Sequence, residues 1–91
     1  MIKLVSTKRF EKSLEKFKNQ HPELKNQYSK TIRLLEESPY HPSLRLHKLQ
    51  GNLQDYYSVS INMKYRILLD FIIQDDQIIL LDIGNHDYLY R

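Results

Sequence analysis

The chain has 91 residues and not one of them is cysteine. A disulfide scaffold, a cysteine-based zinc site and a thiol nucleophile are therefore excluded. With two glycines and three prolines, nothing reads as a linker, and there is no repeat or low-complexity stretch. No apolar run approaches the ~20 residues of a membrane-spanning helix. Met1-Ile2-Lys3-Leu4-Val5 is too short for a signal peptide and lacks a small-residue cleavage site. The expectation is a cytoplasmic protein, with residues 1–91 forming a single domain. What is present supports a packed core: 41% of residues are hydrophobic and 27% charged, the balance of a globular rather than a disordered chain.

The net charge of +3 hides an asymmetry. Residues 1–48 carry 11 basic and 5 acidic side chains, and residues 49–91 carry 3 basic and 6 acidic. A basic half on a small domain fits a polyanion partner. A solvated, lysine-rich helix surface accounts for it equally well.

Periodicity divides the chain. Ile2 to Val5 is short, apolar and β-branched, so it reads as a strand. Ser6 or Thr7 can cap a helix whose face is Phe10, Leu14 and Phe17, at i, i+4, i+7. Asn19-Gln20-His21-Pro22 breaks that helix, and Pro22 suits the start of the next. Leu24, Tyr28, Thr31 (or Ile32) and Leu35 give a second apolar stripe, ended by Ser38-Pro39. So short a connection predicts an antiparallel helix hairpin. Beyond Pro39 the period changes to 2. Leu44 to Leu49 can be extended, Gly51-Asn52 turns the chain, and strands are predicted over 55–61, 65–73 and 77–83. The resulting α+β order, β-α-α-β-β-β, implies an antiparallel meander sheet packed on the N-terminal helix hairpin.

Strand parity assigns the faces. Tyr57, Val59 and Ile61, then Tyr65, Ile67, Leu69, Phe71 and Ile73, then Ile79, Leu81 and Ile83 form the expected core face. The other face receives Ser58, Ser60, Arg66, Asp70, Asp82, Gly84 and His86. Leu68, Ile72, Ile78 and Leu80 fall on that open face too. Either another chain covers them or the parity slips at a bulge. Arg66 is committed to the open face by its flanks, where it is available to a ligand or to a cross-strand pair with Asp82 or Asp70.

Four histidines are present. His21 and His41 each precede a proline and read as ordinary exposed residues. His47 lies in Leu46-His47-Lys48-Leu49-Gln50-Gly51, and His86 in Asp82-Ile83-Gly84-Asn85-His86-Asp87-Tyr88-Leu89-Tyr90. Imidazole suits proton transfer near neutral pH. Two histidines, an arginine and a tyrosine can assemble a ribonuclease site without a metal. One histidine takes the proton of a 2′-OH, the arginine stabilises the pentavalent phosphorane, and the other histidine or the tyrosine protonates the leaving 5′ oxygen. The Asp and Glu residues do not fall at metal-ligand spacings, and no cofactor is expected.

Three segments, Leu46 to Gly51, Tyr65-Arg66-Ile67-Leu68 and Ile83 to Asp87 leading to Tyr90, occur in an order and spacing that resembles type II toxins of the RelE/ParE superfamily, on its RelE/YafQ side. The resemblance runs nearly the whole length. It implies a small ribonuclease that cleaves mRNA, typically on the ribosome, and a cognate antitoxin that binds and silences it. By resemblance, His47 is an acid/base residue, Arg66 contacts the scissile phosphate, His86 belongs to the C-terminal Gly-x-His motif, and Tyr90 is the C-terminal aromatic that stacks on a base or assists proton transfer. Lys48 and Lys64 are expected RNA phosphate contacts. YafQ-like members carry a further His and Asp around the second strand, where this chain has Ser60 and Lys64. A ParE-like gyrase inhibitor, a non-nuclease, shares the fold and is the alternative. The paired histidines favour the ribonuclease.

Overall fold

In the computed structural model the described residues are 2–49, 56–72 and 75–89, with Ile72 and His86 described by their backbone. The turn expected at Gly51-Asn52, and Asp55, Ile73, Gln74 and Tyr90, lie outside them.

The order is β1 (Lys3–Ser6), α1 (Lys8–Gln20), α2 (Lys25–Glu37), β2 (His47–Lys48), β3 (Tyr57–Ser60), β4 (Tyr65–Ile72), β5 (Gln77–Asn85) and α3 (His86–Leu89). Thr7 caps α1 by accepting from the Phe10 amide at 3.1 Å, which settles the choice between Ser6 and Thr7. Its hydroxyl also donates to the Leu80 carbonyl at 2.8 Å. The start of α1 is thereby tied to β5. Pro22 opens a 3₁₀ turn, Pro22–Leu24, that leads directly into α2. Ser38 ends α2, as expected.

The architecture is α+β, with the two long helices packed on a five-stranded mixed sheet of order β1-β5-β4-β3-β2. The β3-β4-β5 meander is antiparallel. To it the structure adds a parallel pairing of β1 with β5 and a two-residue strand, β2, on the far edge. Within 44–49 only His47 and Lys48 form a strand. Pro42–Leu44 is a 3₁₀ turn, and Arg45 after it adopts the left-handed conformation, φ 49° and ψ 46°.

The core between helices and sheet holds Phe10, Phe17, Leu35, Val59, Ile67, Leu69 and Ile83. The expected faces hold through β3 and β4 and fail in the first half of β5. Leu68 pairs with Asp82 but Leu69 pairs with Leu80, so Leu81 is an extra residue, a β-bulge. One inserted residue reverses every side chain on its far side. Ile78 and Leu80 therefore face the core and are buried, and Ile79 and Leu81 do not belong to the core face. Leu68 does lie on the opposite face, but it is buried there in a second small cluster with Leu49 and Leu89, against Tyr56 and Leu81. The apolar residues assigned to an open, partner-covered face are thus covered by the chain's own packing at Leu68, Ile78 and Leu80. The side chain of Ile72 lies outside the description.

Candidate active site

The face away from α1 and α2 carries, in one row across the strands, His47, Ser58, Leu68 and Asp82, and in the next row Ser60, Arg66 and Gly84. Neighbouring strands are about 4.8 Å apart, so an arginine can reach diagonally over one strand to the next. Arg66 does so. Its Nε donates to Ser58 Oγ at 2.9 Å. Its Nη2 donates to the Arg45 carbonyl at 3.0 Å and stands 3.0 Å from His47 Nδ1. A guanidinium has donors and no acceptor, so whenever Nη2 donates to Nδ1 that ring nitrogen must be the acceptor. His47 Nδ1 also lies 3.2 Å from the Arg45 carbonyl.

Each part of this arrangement has a local cause. Ser58 is fully buried, and small enough to sit beneath a guanidinium. The bend 61–64 is tightened by Asn62, whose Oδ1 accepts from the Lys64 and Tyr65 amides at 2.9 and 2.8 Å, so β4 starts in register. The left-handed turn at Arg45 aims a main-chain carbonyl back at the sheet. Arg66 is not committed to a cross-strand aspartate in the way the sequence left open. Asp82, 2% exposed in its side chain, takes Arg9 from α1 at 3.0 Å, and Asp70 stands opposite Ile79. Asp82, and after it the Tyr88 hydroxyl, hold the Arg9 guanidinium further toward its charged form.

The remaining expected site residues are placed unevenly. Lys48 is exposed, but it is paired with Tyr57 and so leaves β2 from the face opposite His47. Lys64 is exposed at the end of the sheet, beside Tyr65, Asn85 and Asp87. His86 opens α3, directly after the end of β5, and its side chain is outside the description, as is all of Tyr90. His41 is exposed, and its Nδ1 accepts from the Ser43 amide at 3.1 Å. His21 is not the exposed residue expected from its place before a proline. It packs against Tyr65, with ring centroids 4.5 Å apart, and against Phe17 at 5.2 Å. Its side chain is 24% exposed because the helix turn folds it back onto the core edge.

Sequence reading missed the roles of Ser58, of the Arg9–Asp82 pair and of Arg45. Ser58 was already on the right face, and its diagonal relation to Arg66 was the available signal. The Arg9–Asp82 pair joins α1 to β5 and depends on helix packing. Arg45 carried no signal, since a left-handed turn is usually marked by glycine or asparagine. A cleft of about 510 Å³ opens on the same sheet face, lined by Thr7, Arg9, Tyr56, Leu68, Asp82 and Tyr88 among others. Among the described residues no group of three or more His, Asp or Glu side chains is placed to hold a metal ion.

A family model, bacterial toxin of type II toxin–antitoxin system, YafQ, matches residues 2–91. No curated protein matches the chain by sequence. Among solved structures, YafQ from E. coli strain BL21(DE3) superposes with a TM-score of 0.81 at 15% identity, covering 100% of both chains. The toxin of the E. coli DinJ–YafQ toxin–antitoxin complex gives 0.79 at 15%, covering 99% of this chain and 98% of that one. A copper-bound mutant toxin from Helicobacter pylori gives 0.71 at 26%, covering 99% and 100%. The two E. coli likenesses are evidence of fold, and the family match over nearly the whole length adds kinship in sequence. The chain belongs to the YafQ family of bacterial toxins of type II toxin–antitoxin systems.

Proposed function

We propose that this toxin is an endoribonuclease that cleaves mRNA on the ribosome, in the cytoplasm, and is held inactive in a hetero-oligomer with a cognate antitoxin. The observation that carries the reading is the contact between Arg66 and His47: a cation suited to a phosphorane stands 3.0 Å from an imidazole suited to proton transfer. The planar guanidinium matches phosphate oxygens in pairs. His47 removes the proton from the 2′-OH, and the resulting alkoxide attacks the adjacent phosphorus. Arg66 stabilises the charge that develops on the equatorial oxygens. His86 or Tyr90 protonates the departing 5′ oxygen, leaving a 2′,3′-cyclic phosphate and a 5′-OH. Lys64, at the end of the sheet near Asp87, contacts a flanking phosphate, and Lys48 contacts RNA from the other side of the edge strand. The family membership and the DinJ partner of the E. coli relative support the antitoxin.

Purified toxin added to a translation extract tests this. Messenger RNA should acquire new 5′ ends, and Arg66→Lys should slow their appearance about 10²–10³-fold, the cost of losing one preorganised electrostatic donor. Intact mRNA together with inhibited gyrase supercoiling would replace the reading with the ParE-like one.

A further inference from the structure

Arg45 O faces two side-chain nitrogens of one site. Arg66 Nη2 lies 3.0 Å from it and His47 Nδ1 3.2 Å. A carbonyl oxygen has two lone pairs and can serve both. The imidazole cannot satisfy both neighbours at once. While Nη2 donates to Nδ1, that nitrogen must be unprotonated and the proton resides on Nε2. An imidazole in that form offers no lone pair at Nε2, so it cannot take a proton there. If the guanidinium turns toward an anion, Nδ1 loses its donor and the Arg45 carbonyl remains beside it as an acceptor. The tautomer with Nδ1–H donating to Arg45 O then becomes the favoured one, and Nε2 gains the lone pair.

We infer that Arg45, through its main-chain carbonyl in the left-handed turn, is a positioning residue that couples phosphate capture by Arg66 to the basic tautomer of His47. The inference rests on the ribonuclease reading of the site and deepens it. One proton moves, from Nε2 to Nδ1 by way of solvent, and the net charge of the ring does not change. The coupling delays the base until a phosphate has arrived. The geometry depends on the backbone of Arg45 and not on its side chain, because φ 49° and ψ 46° direct the carbonyl back across β2. That conformation is open to glycine and asparagine and is adverse to β-branched residues. Among the described residues, Arg66 from β4 stands against His47, with its chain neighbours Arg45 and Lys48 beside it, the last leaving from the opposite face. Ser58, its register partner on β3, is uncharged.

The test uses the full chain labelled with ¹⁵N at histidine, and a probe RNA dinucleotide with a 2′-deoxy substitution that cannot be cut. In the free toxin the His47 ring should show the Nε2–H tautomer, and adding the probe should convert it to Nδ1–H. In Arg45→Val the conversion should fail, and cleavage of ribosome-bound mRNA should fall about 10²-fold in kcat with KM little changed, the scale of a lost general base. Arg45→Asn should rescue both the tautomer change and kcat. Circular dichroism and a thermal melt on each variant separate loss of fold from loss of coupling. A resting Nδ1–H tautomer, or a ring that ignores the probe, overturns the inference, as does an Asn variant as slow as the Val variant, which would assign the role to the arginine side chain. Should the wild-type toxin cut no mRNA in the translation extract, the ribonuclease reading fails, whereas the tautomer response to the probe still reports on the coupling.

Discussion

Asp82 shows how a buried carboxylate is accommodated in this sheet. One of its oxygens accepts from the Ile83 amide at 2.9 Å and the other meets the Arg9 guanidinium at 3.0 Å. Removing a partner from a buried charge leaves a desolvated group unmatched. Arg9→Ala should lower stability by about 1–3 kcal/mol, toward the smaller figure because Arg9 is 74% exposed in its side chain and the pair is partly screened by solvent. Urea unfolding should show the shift, and Arg9→Lys should recover part of it. A midpoint equal to that of wild type would mean that water replaces Arg9 without loss. At the same scale, the two ends of the row differ in kind. Asp82 is matched by a group on a helix, while His47 and Arg66 stand against each other, both beside the Arg45 carbonyl.

At the scale of elements, the junction between β5 and α3 is closely packed. A Cβ placed on Gly84 would stand 2.5 Å from Tyr88 Cδ2, with two further ring atoms at 3.2 Å. The Tyr88 backbone is tied to the end of β5, because its amide donates to Asn85 Oδ1 at 2.8 Å. For the Cβ to fit, the ring or α3 itself must shift. Gly84→Ala should therefore cost about 1–3 kcal/mol from overpacking and displace the helix that begins at His86. Loss of cleavage greater than the loss of folded protein, measured on the same sample, is the expected result; full activity would show that α3 adapts. Helix α2 contributes a pH dependence. Burial pushes Tyr28 up to about 12 from its ordinary value of 10. Between those values the unfolded chain has released the phenolic proton and the native state still holds it. Stability therefore falls as pH rises through that window, and the contribution is fully present below pH 10. The size is about 1–2 kcal/mol after allowing for the ring's partial exposure. Tyr28→Phe should flatten the slope of urea midpoints between about pH 9.5 and 11.5, a range that begins near the ordinary tyrosine value; an unchanged slope would assign it to other tyrosines.

At the scale of the molecule, the bulge at Leu81 decides which side of the sheet the first half of β5 supplies. Leu80 is 5% exposed and Ile78 is fully buried, both in the main core. Leu80→Ala should cost about 2–5 kcal/mol, the range for a leucine truncated in a packed core, seen as a large drop in the thermal midpoint. Had the strict alternation continued, the same substitution would remove an exposed side chain and change little. A near-neutral result would contradict the bulge.

How much of this was legible beforehand varies by segment. The 3.6-residue spacing of Phe10, Leu14 and Phe17, the breaks at Pro22 and Ser38-Pro39, and the alternation in β3 and β4 specify helices, ends and facing directions, because each depends on neighbours a few residues away. The presence of Ser58 and Arg66 on one sheet face follows from the same alternation. Tertiary structure decided the rest. The inserted residue at Leu81, the parallel docking of β1 on β5, the burial of Leu68 beneath Leu49 and Leu89, the turning of His21 onto Tyr65 and the capture of Asp82 by Arg9 all join positions far apart in the chain. So does the reach of Arg66 to His47, across 19 positions of sequence. Local periodicity carries no term for such distances. An arginine in a left-handed turn at residue 45 adds no pattern of its own, and its conformation is tolerated only because the 3₁₀ turn before it and the edge strand after it hold the backbone there.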